Sequence, residues 1–227
     1  LYALAWLHLE AGRAETARPV LVRLATEFTR HPLGLDAAFR LGEQEFAARR
    51  WKEAAARFQV AAAPESPVSE AALYQLGWSE RNAGNHAAAA QAFQTLQQRF
   101  SKSPLVPECG LRAAEALLVL EKEDEALRLL QPLLENPGEQ RETRALYIQA
   151  CVAAAEAHLL KGEPDRARAL VDSIALPTHG YYGGRALMLR AGALEMKDGP
   201  RAALAEYQRA ANLFGRFKEL AAEAHYH

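Results

Sequence analysis

Two pairs of aromatic residues have the composition and the spacing that are typical of side chains binding a partner protein. Tyr2 and Trp6 lie four residues apart, and Tyr74 and Trp78 repeat the pattern. Residues four apart lie on the same face of a helix, so each pair presents two large rings side by side. Tyrosine and tryptophan bury a large area and keep one polar group, which makes them favoured interface anchors. The spacing therefore predicts a binding surface built from aromatic side chains.

Further positions in the same helical register extend this predicted surface. They add two rings and three polar or charged groups that could contact the backbone and the charges of a peptide. The candidate partner-binding residues are Tyr2, Trp6, Phe39, Glu43, Phe46, Tyr74, Trp78, Arg81 and Asn82. The alternative interpretation is that the rings simply pack between neighbouring helices, because aromatic area commonly fills helical cores.

The sequence patterns that carry catalysis are absent from this chain. It has no Gly-x-x-x-x-Gly-Lys phosphate loop, no His-Glu-x-x-His zinc pattern and no Gly-x-Ser-x-Gly nucleophile turn. The seven histidines are dispersed, and Cys109 and Cys151 lie far apart among small apolar residues. Such cysteines predict core packing rather than metal or redox chemistry. We therefore predict a protein that is not an enzyme and uses no cofactor or metal.

Charge and hydropathy narrow the classes of partner. The net charge is −1, the pI is about 6.7, and no basic stripe marks a nucleic-acid surface. The sequence contains no run of 18 consecutive apolar residues, the length that a membrane-spanning helix requires. The expected partner is therefore a protein or a peptide. Because the chain starts at Leu1 and ends at His227 within helical patterns, we expect a fragment of a longer protein, from the cytoplasm or a periplasm.

Helical periodicity organises the whole chain. Alanine is abundant, and the β-branched and aromatic runs that mark strands are missing, which predicts an all-α fold. The predicted helices come in pairs, and a small residue recurs in the second helix of each pair at intervals of 35 to 41 residues. These residues are Ala17, Ala54, Ala89, Ala126, Ala167 and Ala203. A lone helix pair cannot bury its apolar face, so the pairs must stack on one another. The predicted pairs span about 1–32, 36–67, 70–104, 107–137, 139–175 and 185–214, with a further helix starting in 218–227.

Two of these pairs resemble the tetratricopeptide repeat (TPR). Leu73, Leu76-Gly77, Gly84-Asn85-His86, Ala89 and Phe93 match its motif, and Leu41-Gly42, Trp51, Ala54, Phe58 and Ala61 match it again. The resemblance implies a single right-handed α-solenoid over residues 1–227, with the first helix of each pair lining a concave groove. Peptides or partner helices commonly dock in such grooves.

The resemblance also bears on the kind of ligand. Some members of the family clamp a C-terminal carboxylate between paired Asn and Lys or Arg residues in successive first helices. Glu43 and Trp78 occupy the corresponding positions here, although Arg81 and Asn82 resemble clamp donors. A carboxylate clamp is therefore not expected.

A narrower resemblance concerns the linkers between pairs. The segments 28–32, 64–67 and 100–104 look like those of bacterial envelope TPR proteins of the TolA-binding and outer-membrane-assembly lipoprotein types. This implies a non-enzymatic scaffold in a periplasmic complex. The alternative is an interaction or regulatory domain of a larger multidomain enzyme or signalling protein. Self-association through the solenoid ends is a third possibility.

Three local sequence features predict details of the structure. The stretch Leu176–Gly184 contains three glycines and a proline, which predicts a non-helical loop that either connects two pairs or contacts a partner. Asp124 is expected to cap the N-terminus of its helix. Pro19 is expected in the first turn of the second helix, where its missing N–H costs little.

Overall fold

The computed structural model describes residues 1–137, 141–174 and 181–214, and the regular structure within these ranges is entirely helical. This confirms the predicted all-α class. The twelve helices of the described residues are α1 (Tyr2–Glu10), α2 (Ala14–Glu27), α3 (Pro32–Ala47), α4 (Trp51–Ala61), α5 (Ser69–Asn82), α6 (His86–Arg99), α7 (Val106–Val119), α8 (Glu123–Glu135), α9 (Arg141–Leu160), α10 (Pro164–Ser173), α11 (Tyr181–Asp198) and α12 (Pro200–Phe214). In chain order they make up six successive helix–turn–helix segments.

The chain divides into two compact bodies, an N-terminal body of residues 1–116 and a C-terminal body of residues 117–227. In the N-terminal body each helix from α1 to α5 packs against the next one along the chain. In the C-terminal body each helix from α8 to α11 does the same, and α9 also packs against α11. The first helices of successive pairs are thus direct neighbours there, as expected for stacked repeats.

A tight contact between a small residue and a large ring closes two of the helix pairs. Gly77 of α5 faces Phe93 of α6 so closely that a Cβ at position 77 would lie 2.6 Å from the ring. Gly42 of α3 faces Phe58 of α4 in the same way, at 2.7 Å. Both rings are fully buried. Glycine is needed at these positions because no side chain fits between the helix backbone and the ring.

The other four pairs use alanine where these two use glycine. In each pair the residue sixteen positions later is Leu, Val or Tyr, and both members are buried. The pairs are Ala5 with Leu21, Ala114 with Leu130, Ala155 with Val171, and Ala191 with Tyr207. In the fifth and sixth pairs the alanine and the larger residue belong to the same buried cluster, so they fill the core of the pair together.

The same type of turn joins the two helices in most of the pairs. In five pairs a residue with positive φ ends the first helix, and the next N–H reaches back to the carbonyl five residues earlier, as in Asn85 N to Glu80 O at 2.8 Å. This is the pattern of a Schellman cap. The donors are Arg13, Arg50, Asn85, Lys122 and Glu163. In the sixth turn Gly199 also has positive φ, but Pro200 follows it and has no N–H to donate.

The positive φ falls on glycine at four of these turns but not at all six. Gly12, Gly84, Gly162 and Gly199 adopt it freely. Arg49 and Glu121 adopt it with φ of 58° and 56°. A side chain in the left-handed region crowds the backbone, so these two turns carry a local strain of about 1 kcal/mol.

Side chains in three of the linkers that precede first helices make the same local hydrogen bond. His31, Ser66 and Ser103 each accept a hydrogen bond from the backbone N–H two residues later, at 3.1, 3.3 and 3.0 Å. Each is followed by a proline. His31 is thus the N-cap of α3, whereas Ser66 and Ser103 stabilise the turns just before α5 and α7.

Two sets of hydrogen bonds made by arginine side chains join successive pairs within the N-terminal body. The carboxylate of Glu45 is buried between Arg18 of the preceding pair and Arg50 of its own turn. Burial alone would raise the pKa of Glu45, but the hydrogen bonds from the two guanidinium groups hold it below its usual value. Arg99 of α6 donates to Ala62 O at 2.8 Å and to Ser69 Oγ at 2.7 Å, which ties α6 to the end of α4.

Three local predictions are wrong. Tyr181 to Gly184 form the first turn of α11 rather than part of a loop, and both glycines of this turn are buried. The helix following the turn begins at Glu123, with Lys122 as its N-cap, so Asp124 lies inside its first turn. Pro19 lies inside α2, because that helix already begins at Ala14. Residues 175–180 of the predicted loop and the predicted helix in 218–227 lie outside the described residues.

The glycine–ring contact predicts a difference between two glycines. Gly77→Ala should lower the free energy of unfolding by about 2 kcal/mol, because the added methyl group overpacks against Phe93. Gly192→Ala in α11 is the matched control, since its Cβ would meet the nearest atom at an ordinary 3.6 Å. It should be neutral or stabilising by up to about 1 kcal/mol, the helix propensity gained. Chemical denaturation measures both, and equal effects would refute the packing argument.

The strained turns predict a stabilising substitution. Arg49→Gly should raise the free energy of unfolding by about 1 kcal/mol, because glycine adopts positive φ without the steric cost. Arg49→Ala is the control, since it removes the same side chain but keeps the strain, and it should change stability little. Thermal unfolding of the three proteins compares them. A glycine variant no more stable than the alanine variant would show that the turn is not strained.

Candidate partner-binding surface

The first predicted aromatic pair is held by the neighbouring first helix. The Tyr2 hydroxyl of α1 donates to Asp36 Oδ2 of α3 at 2.6 Å. Burial and this hydrogen bond raise the pKa of Tyr2 to about 12. The Trp6 ring stacks with Tyr2 at 6.4 Å between centroids, and the Arg40 guanidinium lies 5.4 Å from the Trp6 centroid. A cation near an indole face is attracted by its π electrons, so this contact links α1 to α3.

Arg40 is in turn held by acids of its own helix. Its Nη1 lies 3.0 Å from Glu43 Oε2, and its Nε lies 3.8 Å from Asp36 Oδ1. We call the five residues Tyr2, Trp6, Asp36, Arg40 and Glu43 the first cluster. It joins two rings, a guanidinium and two carboxylates on adjacent first helices.

The second aromatic pair sits in the same arrangement further along the chain. The Arg112 guanidinium of α7 lies 5.4 Å from the Trp78 centroid of α5. Arg112 Nη1 lies 2.9 Å from Glu115 Oε1, and its Nε lies 3.5 Å from Glu108 Oε1. Burial, and more weakly Glu108, raises the pKa of Tyr74. We call Tyr74, Trp78, Glu108, Arg112 and Glu115 the second cluster.

Each residue of the second cluster lies 72 positions after its counterpart in the first. The offset spans two helix pairs, and the linkers repeat with it, since Phe28 to Leu33 corresponds to Phe100 to Leu105. The Tyr–Trp spacing predicts the two ring pairs, but it does not identify the acids and the arginine that hold them. Comparison of the sequence with itself at an offset of 72 would reveal them.

The two clusters differ in how closely the tryptophan is covered. The Trp78 ring meets Tyr74 and Phe93 edge to face at 6.2 and 6.0 Å, and a second guanidinium, that of Arg81, lies 5.3 Å from its centroid. Trp6 is 39% exposed, and its Nε1 donates to Glu10 at 2.8 Å. The second cluster is therefore packed and the first is open to a partner.

The remaining predicted residues fall in different surroundings. Phe39 is buried, with its ring 5.5 Å from Phe58 in the core. Phe46 packs edge to face on Trp51 at 4.9 Å, across the turn of its own pair. Asn82 is exposed at the end of α5. The structure thus brings Tyr2, Trp6 and Glu43 together, whereas Phe39 and Phe46 mainly pack within their own pair.

A depression of about 460 Å³ lies between α1 and α3 beside the open cluster. Its walls are mostly apolar, with carboxylates at the edge. The lining residues are Trp6, Leu9, Glu10, Arg40, Glu43, Gln44 and Ala47. It is large enough to take one long side chain of a partner and is a typical size for small binding sites.

Other kinds of chemistry find little support in the described part of the chain. No group of three or more His, Cys, Asp or Glu residues there could hold a metal ion. No described helix is long and apolar enough to cross a membrane. Cys109 and Cys151 are fully buried, and burial raises the pKa of the Cys109 thiol to about 12. Such a thiol stays protonated and acts as a core filler.

The packing difference between the tryptophans predicts different costs of removing them. Trp78→Ala should lower the free energy of unfolding by about 3 kcal/mol, because it leaves a space beside Phe93 and two guanidinium groups. Trp6→Ala should cost about 1 kcal/mol, since its ring is already partly in water. Urea denaturation followed by circular dichroism measures both. Equal losses would show that the two clusters are packed alike.

Comparison with known proteins agrees with this architecture. Residues 71–103 match the model of the tetratricopeptide repeat family. No curated protein sequence matches the chain. Among solved structures, the MamA protein aligns with a TM-score of 0.62 at 14% identity, over 82% of this chain and 94% of its own. A thermophilic TPR protein from Thermus thermophilus aligns with a TM-score of 0.53 at 19% identity, over 85% of this chain and 97% of its own.

A third similar structure contains a bound peptide. The Rap conjugation gene regulator of plasmid pLS20, solved in complex with the Phr* peptide, aligns with a TM-score of 0.58 at 14% identity. The alignment covers 85% of this chain and 57% of the regulator. At these identities the likeness shows the fold. The chain described here therefore carries a tetratricopeptide repeat at residues 71–103 and has the fold of tetratricopeptide-repeat proteins.

Proposed function

We propose that the chain is a non-enzymatic interaction scaffold that binds a peptide or partner segment on the first helices of its N-terminal body. The observation that carries this proposal is the open first cluster, where Trp6 lies 39% exposed beside an apolar depression. An exposed tryptophan fixed by neighbouring side chains loses little entropy when a partner covers it.

The ionic contacts around Trp6 favour recognition over simple core packing. Arg40 and Asp36 hold the two rings in place without covering Trp6. Rings fixed in this way are preorganised for binding, and preorganisation raises affinity. Carboxylates at the rim, Glu10 and Glu43, offer acceptors for the backbone N–H groups or the charges of a peptide. The Rap regulator, which has the same kind of fold, was solved in complex with a peptide, and this supports peptide binding as the proposed function.

A bacterial cell-envelope setting is part of the proposal and rests on the resemblance of the linkers. In the structure the linker side chains His31, Ser66 and Ser103 make local hydrogen bonds at or just before the starts of the first helices. Their sequence therefore also serves the fold. Localisation of the protein in its host cell tests the proposed compartment.

Peptide selection tests the proposed surface. A random peptide library displayed on phage is selected against the protein, and the affinity of recovered peptides is measured by calorimetry. Trp6→Ala combined with Glu43→Ala should weaken binding at least about tenfold, as expected for the loss of an interface anchor.

The control is Val60→Ala on α4, which removes an apolar side chain 43% exposed on a second helix. It should bind like the wild type. Circular dichroism confirms that each variant is folded. Peptides that bind the double variant and the wild type equally would overturn the assignment of the surface.

A further inference from the structure

A further arginine, Arg81, contacts the second cluster, and the first cluster has no such arginine. Arg81 extends from the last turn of α5, with its guanidinium 5.3 Å from the Trp78 centroid. Its Nη1 lies 2.8 Å from Glu115 Oε2, while Arg112 binds the other oxygen of the same carboxylate. One tryptophan and one glutamate thus hold two guanidinium groups.

Leu9 stands 72 positions before Arg81 and takes its place in the first cluster. The tryptophan, the glutamate and the first arginine are all kept, as Trp6, Glu43 and Arg40. Leucine supplies no charge at this position. The depression of about 460 Å³ opens here and is lined by Leu9, Trp6 and Glu43.

The change leaves the first cluster with excess negative charge. In the second cluster two acids, Glu108 and Glu115, face two arginines, Arg112 and Arg81. The first cluster has a single arginine, Arg40, beside its two acids, Asp36 and Glu43, and a third carboxylate, Glu10, accepts a hydrogen bond from Trp6 Nε1. An unbalanced group of carboxylates beside an exposed indole is complementary to a cation.

We propose that the depression between α1 and α3 binds the guanidinium group of an arginine from a partner segment, in the position that Arg81 fills in the second cluster. This inference rests on the proposed function and specifies the chemistry of the partner. Arginine fits better than lysine because its planar group stacks on an indole and pairs with a carboxylate through two N–H groups. The partner's arginine would occupy the position beside Trp6 that Arg81 of this chain occupies beside Trp78.

Titration with an arginine derivative tests the site directly. Nα-acetyl-arginine amide is added to the ¹⁵N-labelled protein, and the indole N–H signal of Trp6, assigned with Trp6→Phe, is followed by NMR. The signal should shift and saturate. Nα-acetyl-citrulline amide, which has the same shape without the charge, should bind at least about tenfold more weakly, because the charge-assisted hydrogen bonds are lost.

Substitutions in the site separate this inference from a general effect of charge. Leu9→Arg should abolish the saturable shift, because the introduced side chain occupies the site as Arg81 does in the second cluster. Leu9→Met is the matched control and should bind like the wild type. Glu43→Gln should weaken binding and provides a second test if Leu9→Arg does not fold.

The results that would overturn the arginine site differ from those that would overturn the proposed function. No saturable shift, an equal shift with citrulline amide, or unchanged binding by Leu9→Arg would each overturn the arginine site. Peptides recovered by selection that bind the wild type and Leu9→Arg equally would also overturn it, while leaving the proposed peptide-binding surface intact.

Discussion

The close approach of the two helices in the second and third pairs depends on a match between a glycine and a phenylalanine sixteen positions later. Gly77 with Phe93 and Gly42 with Phe58 are the tightest cases, where no Cβ fits. Alanine takes the first position where leucine, valine or tyrosine takes the second. This contact fixes the distance between the helices, and the distance in turn decides which residues of the first helix remain at the surface. The residues three before and one after the small position, such as Tyr74 and Trp78, acquire their places from it.

The fold could be predicted from sequence because small residues also recur in the second helices at a near-constant interval. Small residues at 17, 54, 89, 126, 167 and 203, together with the turn glycines, locate the six pairs. Local propensity was a weaker guide. Gly183 and Gly184 suggest a loop, yet both are buried in the first turn of α11, because tertiary packing outweighs the intrinsic cost of glycine in a helix. Arg49 and Glu121 adopt positive φ because the turn geometry is set by the helices on either side.

The candidate surface was only partly predictable, for a different physical reason. The spacing of Tyr and Trp identifies rings on one helix face, but it says nothing of which residues on the next helix hold them. Asp36 and Arg40 reach Tyr2 and Trp6 from α3, and such contacts depend on how two pairs stack. Phe39 shows the converse. It shares the register of Tyr74, yet its ring is buried against Phe58. A register position defines a direction from the helix axis, whereas exposure depends on the neighbouring helices.

The two clusters show how repetition can separate stability from recognition. Both keep the ring pair, the arginine and the acids at an offset of 72 residues, so the stacking of α1 on α3 resembles that of α5 on α7 in its polar contacts. In the second cluster Phe93 and Arg81 enclose Trp78, and the constellation contributes to packing. In the first, Leu21 and Leu9 occupy the corresponding positions, and the indole of Trp6 remains partly in water. The two clusters thus share the side chains that orient the rings and differ at two positions whose side chains enclose Trp78.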